Sequence, residues 1–159
     1  MKRIFNALTA TAVVVLSLAS TPAATEAAGV MVSGGGTATF DDFEGGTVFS
    51  VEASIDEDGN VRGHFFCQIA GVVVINGDDL VEATVNDDGS VTLYGFGHGW
   101  DVAVGVFTDL PFAVQLWPGG PVVGRFIYDD PVVGPSGGVD LSEGDHETVA
   151  TGQIMIRGN

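Results

Sequence analysis

The stretch VEASIDEDGNVRG at residues 51–63 returns as VEATVNDDGSVTL at residues 81–93. Each copy alternates apolar and polar residues, passes an Asp-Gly turn and resumes the alternation, the pattern of a β-hairpin with one buried and one wet face. The turn sets the register. A two-residue type I′ turn centred on Asp58 and Gly59 would put Ile55 opposite Arg62 and Val51 opposite Phe66, mixing core and solvent residues on one face. A three-residue loop, with Glu57 and Asp58 right-handed and Gly59 at positive φ, pairs like with like. Ile55 then faces Val61, Val51 faces Phe65 and Phe49 faces Cys67, while Glu52 faces His64 on the wet side. The second copy follows, with Val85 opposite Val91, Ala83 opposite Leu93 and Glu82 opposite Tyr94. A slip of one residue would turn every apolar side chain to water, so agreement in both copies predicts an all-β fold.

Upstream, Lys2 and Arg3 precede an uncharged run from Ile4 to Thr25 whose centre, Ala12 to Leu18, is apolar, and small residues follow it. These are the parts of a secretory signal peptide, residues 1–27, with cleavage expected near Ala27 and a secreted or periplasmic destination. Asn6, Thr9, Thr11 and Ser17 interrupt the run and make it a poor permanent span, so no stable membrane anchor is expected. Residues 28–159 then form one expected domain, long enough to bury roughly two-thirds of its unfolded surface. The full chain carries a formal charge of −16, and losing Lys2, Arg3 and Glu26 makes that −17, with three arginines, no lysine and twenty carboxylates. Nucleic acid and an anionic membrane surface are both nearly excluded as partners, because neither gains from counterion release. Cys67 is the only cysteine. The hairpin register buries it beside Phe65, where a thiol acts as a small apolar group.

Along the remainder, Val30 to Ser33 reads as a first strand ending in Gly34-Gly35-Gly36, and Val72 to Ile75 as a strand closed by an Asn76-Gly77-Asp78-Asp79 turn. Strand signals continue from Asp101 to Thr108. Five prolines then fall between Pro111 and Pro135. Since proline cannot donate to a central ladder, the Pro/Gly-rich segment 110–139 is expected as edge strands and long loops, with Gly124 to Tyr128 its best strand. Thr148 to Arg157 closes the chain. About nine or ten short strands with regular turns predict an antiparallel β-barrel, with a β-sandwich as the alternative.

Several motifs invite chemistry and have plainer explanations. Asp56, Asp58 and Asn60 begin like an EF-hand loop, but that loop needs Gly at its sixth position and a bidentate acid at its twelfth, where this chain has Val61 and Cys67. Weak calcium binding is kept as a minority reading beside a solvated turn. Gly134-Pro135-Ser136-Gly137-Gly138 matches G-x-S-x-G, with Asp140, Asp145 and His146 downstream, yet a nucleophile elbow needs a strand entering a helix and this is a Pro/Gly loop. His64, His98 and His146 with Asp101 have no ligand spacing, and His64 and Cys67 point to opposite faces of one strand. No metal site and no cofactor is expected.

The aromatic residues around the Pro-rich segment are more suggestive. Trp100, Phe112, Trp117, Phe126 and Tyr128 offer large apolar area with polar handles, as a binding surface or the mouth of a barrel requires. Capping one end of the core is the competing role.

The segments Ser33-Gly34-Gly35-Gly36, Asp56 to Phe65 and Gly152-Gln153-Ile154-Met155-Ile156 resemble a loosely defined group of small exported bacterial β proteins of unassigned function. The resemblance spans most of the chain beyond the signal peptide; it implies export and an all-β fold and supplies no activity. The expectation is a secreted acidic β domain that is not an enzyme, with a binding or structural role toward an unknown ligand or protein partner. The alternative is a cyclase- or hydrolase-type enzyme working inside a barrel, with His98, Asp101 and Tyr94 as acid/base groups. A filled apolar interior would favour the first and a polar cavity the second.

Overall fold

The computed structural model describes residues 29–41, 44–129, 141–142 and 144–158. The expected signal peptide, residues 1–27, and the G-x-S-x-G stretch at 134–138 lie outside them. Eight strands follow one another: β1 (Val30–Phe40), β2 (Gly46–Ile55), β3 (Val61–Ile69), β4 (Val73–Val85), β5 (Val91–Asp101), β6 (Gly105–Trp117), β7 (Arg125–Asp129) and β8 (Asp145–Gly158). Each is antiparallel to the next and β8 pairs with β1, so the sheet closes into a barrel. Closure removes the unpaired edges that a strand-only fold must otherwise protect. The turns at 56–60 and 86–90 and the loop 118–124 mark one end, called lower here; the turns at 70–72 and 102–104 mark the upper end.

The register inferred from the repeat is the one observed. Ile55 pairs with Val61, Val51 with Phe65, Phe49 with Cys67 and Glu52 with His64; Val85 pairs with Val91, Ala83 with Leu93 and Glu82 with Tyr94. Gly59 and Gly89 both have φ of 82°. Glycine is used at these turns because the left-handed conformation strains any residue with a Cβ. The copies diverge in burial. Ile55 is buried, but its counterpart Val85 is half exposed while the polar Thr92 is covered.

The strand count is eight among the described residues, below the nine or ten expected, because two anticipated breaks lie inside continuous strands. The Asn76 to Asp79 turn is instead a bulge inside β4, where the register against β5 shifts, and a second shift follows between Leu80 and Glu82. Bulges of this kind bend a strand and let a sheet curl shut. The Gly34-Gly35-Gly36 run is likewise the middle of β1 instead of its end. There the backbone of β8 approaches so closely that a Cβ on Gly152 would run into the Gly35 carbonyl. Asp101 to Thr108 is not one strand, since β5 ends at Asp101 and β6 begins at Gly105.

The described part of the Pro-rich segment, residues 110–129, is more regularly paired than expected. Pro111 stands inside β6 opposite Phe96, and pairing to β7 starts only at Ala113 with Asp129, so the proline is flanked by β5 alone among the described residues. That is an edge-like position within a closed wall. Next to it Asp109 has φ of 58° where β6 bulges against His98.

The inward faces fill the barrel. Phe49, Phe65, Phe112, Phe126 and Tyr128 pack as one group, with ring centroids from 5.0 Å for Phe49 and Phe126 to 6.4 Å for Phe112 and Tyr128. Val32, Ile75, Leu93, Val114, Leu116, Val149 and Ile154 surround them, and the Cys67 thiol is buried among the same side chains. An eight-stranded barrel has an interior just wide enough for side chains to occupy.

Candidate functional site

The five aromatic residues singled out by sequence do not form one surface. Phe112, Phe126 and Tyr128 point inward and belong to the core. Trp100 lies on the outer wall at the upper end, paired with Val106, while Trp117 lies at the lower end of β6, paired with Arg125. The enzyme triad is dispersed as well. His98 is outward and exposed, with Nδ1 3.2 Å from Asp78 Oδ2. Tyr94 shares that outer face by strand alternation, and Asp101 falls on the opposite one. Asp101 Oδ1 accepts the backbone N–H groups of Ala103 and Val104 at 2.7 and 3.2 Å, so its carboxylate caps the β5–β6 turn. The histidines stand on β3, β5 and β8, which are not neighbours.

Asp56 is also committed locally. Its Oδ1 accepts from the Asp58 and Asn60 backbone N–H groups and its Oδ2 from Asn60 Nδ2 at 2.9 Å. These bonds, led by the Asn60 side chain, hold its carboxyl below the usual range. The arrangement is an Asx-type turn in which both carboxylate oxygens already accept hydrogen bonds.

A cleft lies on the outer wall. It encloses about 680 Å³ and is built across β6, β7 and β8, with Trp117, Arg125, Ile127 and His146 on its outward face and the buried Phe126 and Glu147 beneath. Cross-strand pairing places these side chains together: Trp117 opposite Arg125, and Ile127 opposite His146. Asp88 and Asp41 border it. The Trp117 indole donates to Asp88 Oδ2 at 2.9 Å, and Thr148 Oγ1 donates to Asp41 Oδ1 at 2.7 Å.

The lower lip of the cleft is the loop 118–124, which substitutes for strand where β7 is short. Gly119 bridges Ile154, Val122 N–H reaches the Val149 carbonyl, and Val149 N–H reaches Gly124. At its crest Val122 adopts φ of 61° and is 82% exposed. A β-branched residue in the left-handed region is a strained outlier, and such strain collects at sites that bind or act.

Glu147 is the residue that sequence reasoning missed. It stands in β8 between Phe40 and Phe126, points inward and is 2% exposed. Burial, reinforced by the Asp145 and Asp41 charges, raises its carboxyl to about 7. The Thr47 hydroxyl opposes that rise, yet neither Thr47 Oγ1 nor Glu147 Oε2 completes a hydrogen bond. The signal was present: Glu147 shares strand parity with Val149, an inward position, once the strand is begun at Asp145.

Comparison of the chain with protein-family models, with curated proteins and with solved structures found no match.

Proposed function

We propose that this is an exported, non-catalytic binding domain whose ligand site is the outer-wall cleft of β6, β7 and β8. One observation carries the reading: the barrel interior is packed with aromatic rings, and a cleft of about 680 Å³ lies outside it. Its volume is in the range of small-ligand sites, about 300–1,000 Å³, and its lining combines apolar walls with a few polar groups, as such sites do. Trp117, Val122, Val123 and Ile127 supply the apolar part, and Arg125 supplies a cation scarce in this chain. A small molecule with a flat apolar body and one anionic group matches that chemistry. The carboxylates of Asp41 and Asp88 at the margin disfavour ligands carrying several negative charges.

The test uses anilinonaphthalene sulfonate, an aromatic body with a single sulfonate, titrated against the native protein and followed by fluorescence. Trp117→Ala and Arg125→Gln should each weaken saturable binding at least fivefold, with no change in melting temperature for Arg125→Gln. Unchanged affinity in both variants would reject the cleft as the site.

A further inference from the structure

The upper end of the barrel carries an apolar protrusion on a strongly acidic chain. Val102, Val104 and Val106 are 62%, 58% and 81% exposed, and Trp100 and Val72 are partly exposed beside them. They lie together: Trp100 pairs with Val106, and Val102 N–H bonds the Val72 carbonyl at 2.8 Å, tying the β3–β4 turn to the β5–β6 hairpin. The run from Val102 to Phe107 contains no charged residue. The one carboxylate within the turn, Asp101, is buried and held by two backbone N–H groups, so the hairpin is a stiff projection.

We infer that this tip docks reversibly in the interface of an uncharged, zwitterionic lipid layer. The alternatives fit less well. The patch exposes roughly 400–500 Å² of apolar surface, comparable to the largest patch on a typical monomer and often functional there. It is about half of the ~800 Å² that each partner of a standard-size interface contributes, and two copies of a chain with a charge near −16 repel each other. A convex valine tip with a tryptophan on its flank suits a lipid interface, where valines enter the acyl boundary and the indole settles at headgroup level. Asp78, Asp79 and Asp109 line the wall below, around His98, and keep the penetration shallow. The same carboxylates and the overall charge restrict binding to lipids without net negative charge.

The experiment is flotation of the signal-free protein with phosphatidylcholine vesicles, together with Trp100 emission read in a Trp117→Phe background. Expected results are co-flotation at millimolar lipid, a blue shift of Trp100 on adding vesicles, and binding at least threefold weaker when a third of the lipid is phosphatidylserine. Val102→Asp combined with Val104→Asp should abolish flotation while leaving melting temperature and cleft binding of the sulfonate probe intact. Absence of flotation, binding that is equal or stronger on the anionic vesicles, or a self-association in sedimentation that the double variant removes would each overturn the inference.

Discussion

The indole Nε1 of Trp117 donates to Asp88 Oδ2 at 2.9 Å, joining the tip of the second hairpin repeat to the mouth of the cleft. Its equivalent in the first copy, Asp58, faces no such partner in the hydrogen bonds of that turn, where Asp56 is the acceptor. In the second copy the first position is Asn86, which donates to Ser90 and Thr92, and Asp88 takes over as acceptor for Ser90 and Trp117. Gln115 Nε2 adds a bond to Ser90 Oγ at 2.8 Å. One repeat thus remains a plain turn, and the other is folded against β6 to support the cleft wall.

Removing this support should therefore be felt in binding. Asp88→Ala frees the Trp117 ring, so in a Trp100→Phe background its emission should move to the red and the sulfonate probe should bind several-fold more weakly. Asp58→Ala should change neither. The Ser90 side chain, the Ser90 backbone and Trp117 hold the Asp88 carboxyl below its ordinary value of 3.8, so acidification to that value should not yet remove the effect of Asp88.

How much of this was legible depended on whether local pattern or closure decided the outcome. The hairpin pairs from Phe49 to Cys67 and from Ala83 to Leu93 were readable because alternation and turn type are local. The bulges at Gly77 and Asp109 were not, because they answer to the curvature of the closed wall. The aromatic set divided for a related reason. Phe112 and Phe126 are separated from Trp117 by odd steps in register or strand, so they take the inner face while it takes the outer. Val122 carried no sequence sign of its positive φ, since a valine there contradicts local preference.

Two glycines should fail for different reasons when replaced. A Cβ at Gly77 would land on the Phe112 ring, and Phe112 also lies over Gly95, so Gly77→Ala overpacks the core and should cost about 1–3 kcal/mol. Gly59 has nothing within 4 Å of such a Cβ, yet its φ is 82°. Gly59→Val should cost about 1–2 kcal/mol through backbone strain alone. Urea denaturation measures both, and Gly59→Asn should recover most of the loss while Gly77→Asn should not.

The acidic surface predicts a salt response. Carboxylates so far in excess of cations repel in the compact state more than in the expanded chain, and the Debye length falls from about 30 Å at 0.01 M to about 10 Å at 0.1 M salt. Melting temperature should rise over that range. Calcium and magnesium at equal ionic strength should stabilise equally, because the Asp56 oxygens are already engaged within their own turn. A calcium-specific rise abolished by Asp58→Ala would instead revive a site in that loop.

Glu147 should dominate the pH dependence near neutrality. Its ordinary value is 4.5 and the folded barrel raises it to about 7, chiefly by burial and then by the Asp145 and Asp41 charges. Below pH 4.5 the carboxyl is protonated in both states and nothing is lost. Between 4.5 and 7 the unfolded chain gives up the proton while the folded barrel keeps it, so stability falls as pH rises, and the loss is complete above 7. Its full size is on the order of 3 kcal/mol. The carboxyls of Asp56 and Asp88 are shifted downward and act only at lower pH, leaving this window to Glu147. Thermal melts from pH 4.5 to 8 should show the decline in the native chain, and Glu147→Gln should remove most of it, making the variant the more stable protein at pH 8. Thr47→Val removes the hydroxyl that favours the ionised form, so the midpoint of the decline should move upward. A Glu147→Gln variant with the same pH slope as the native chain would show that this carboxyl ionises as freely in the barrel as in water.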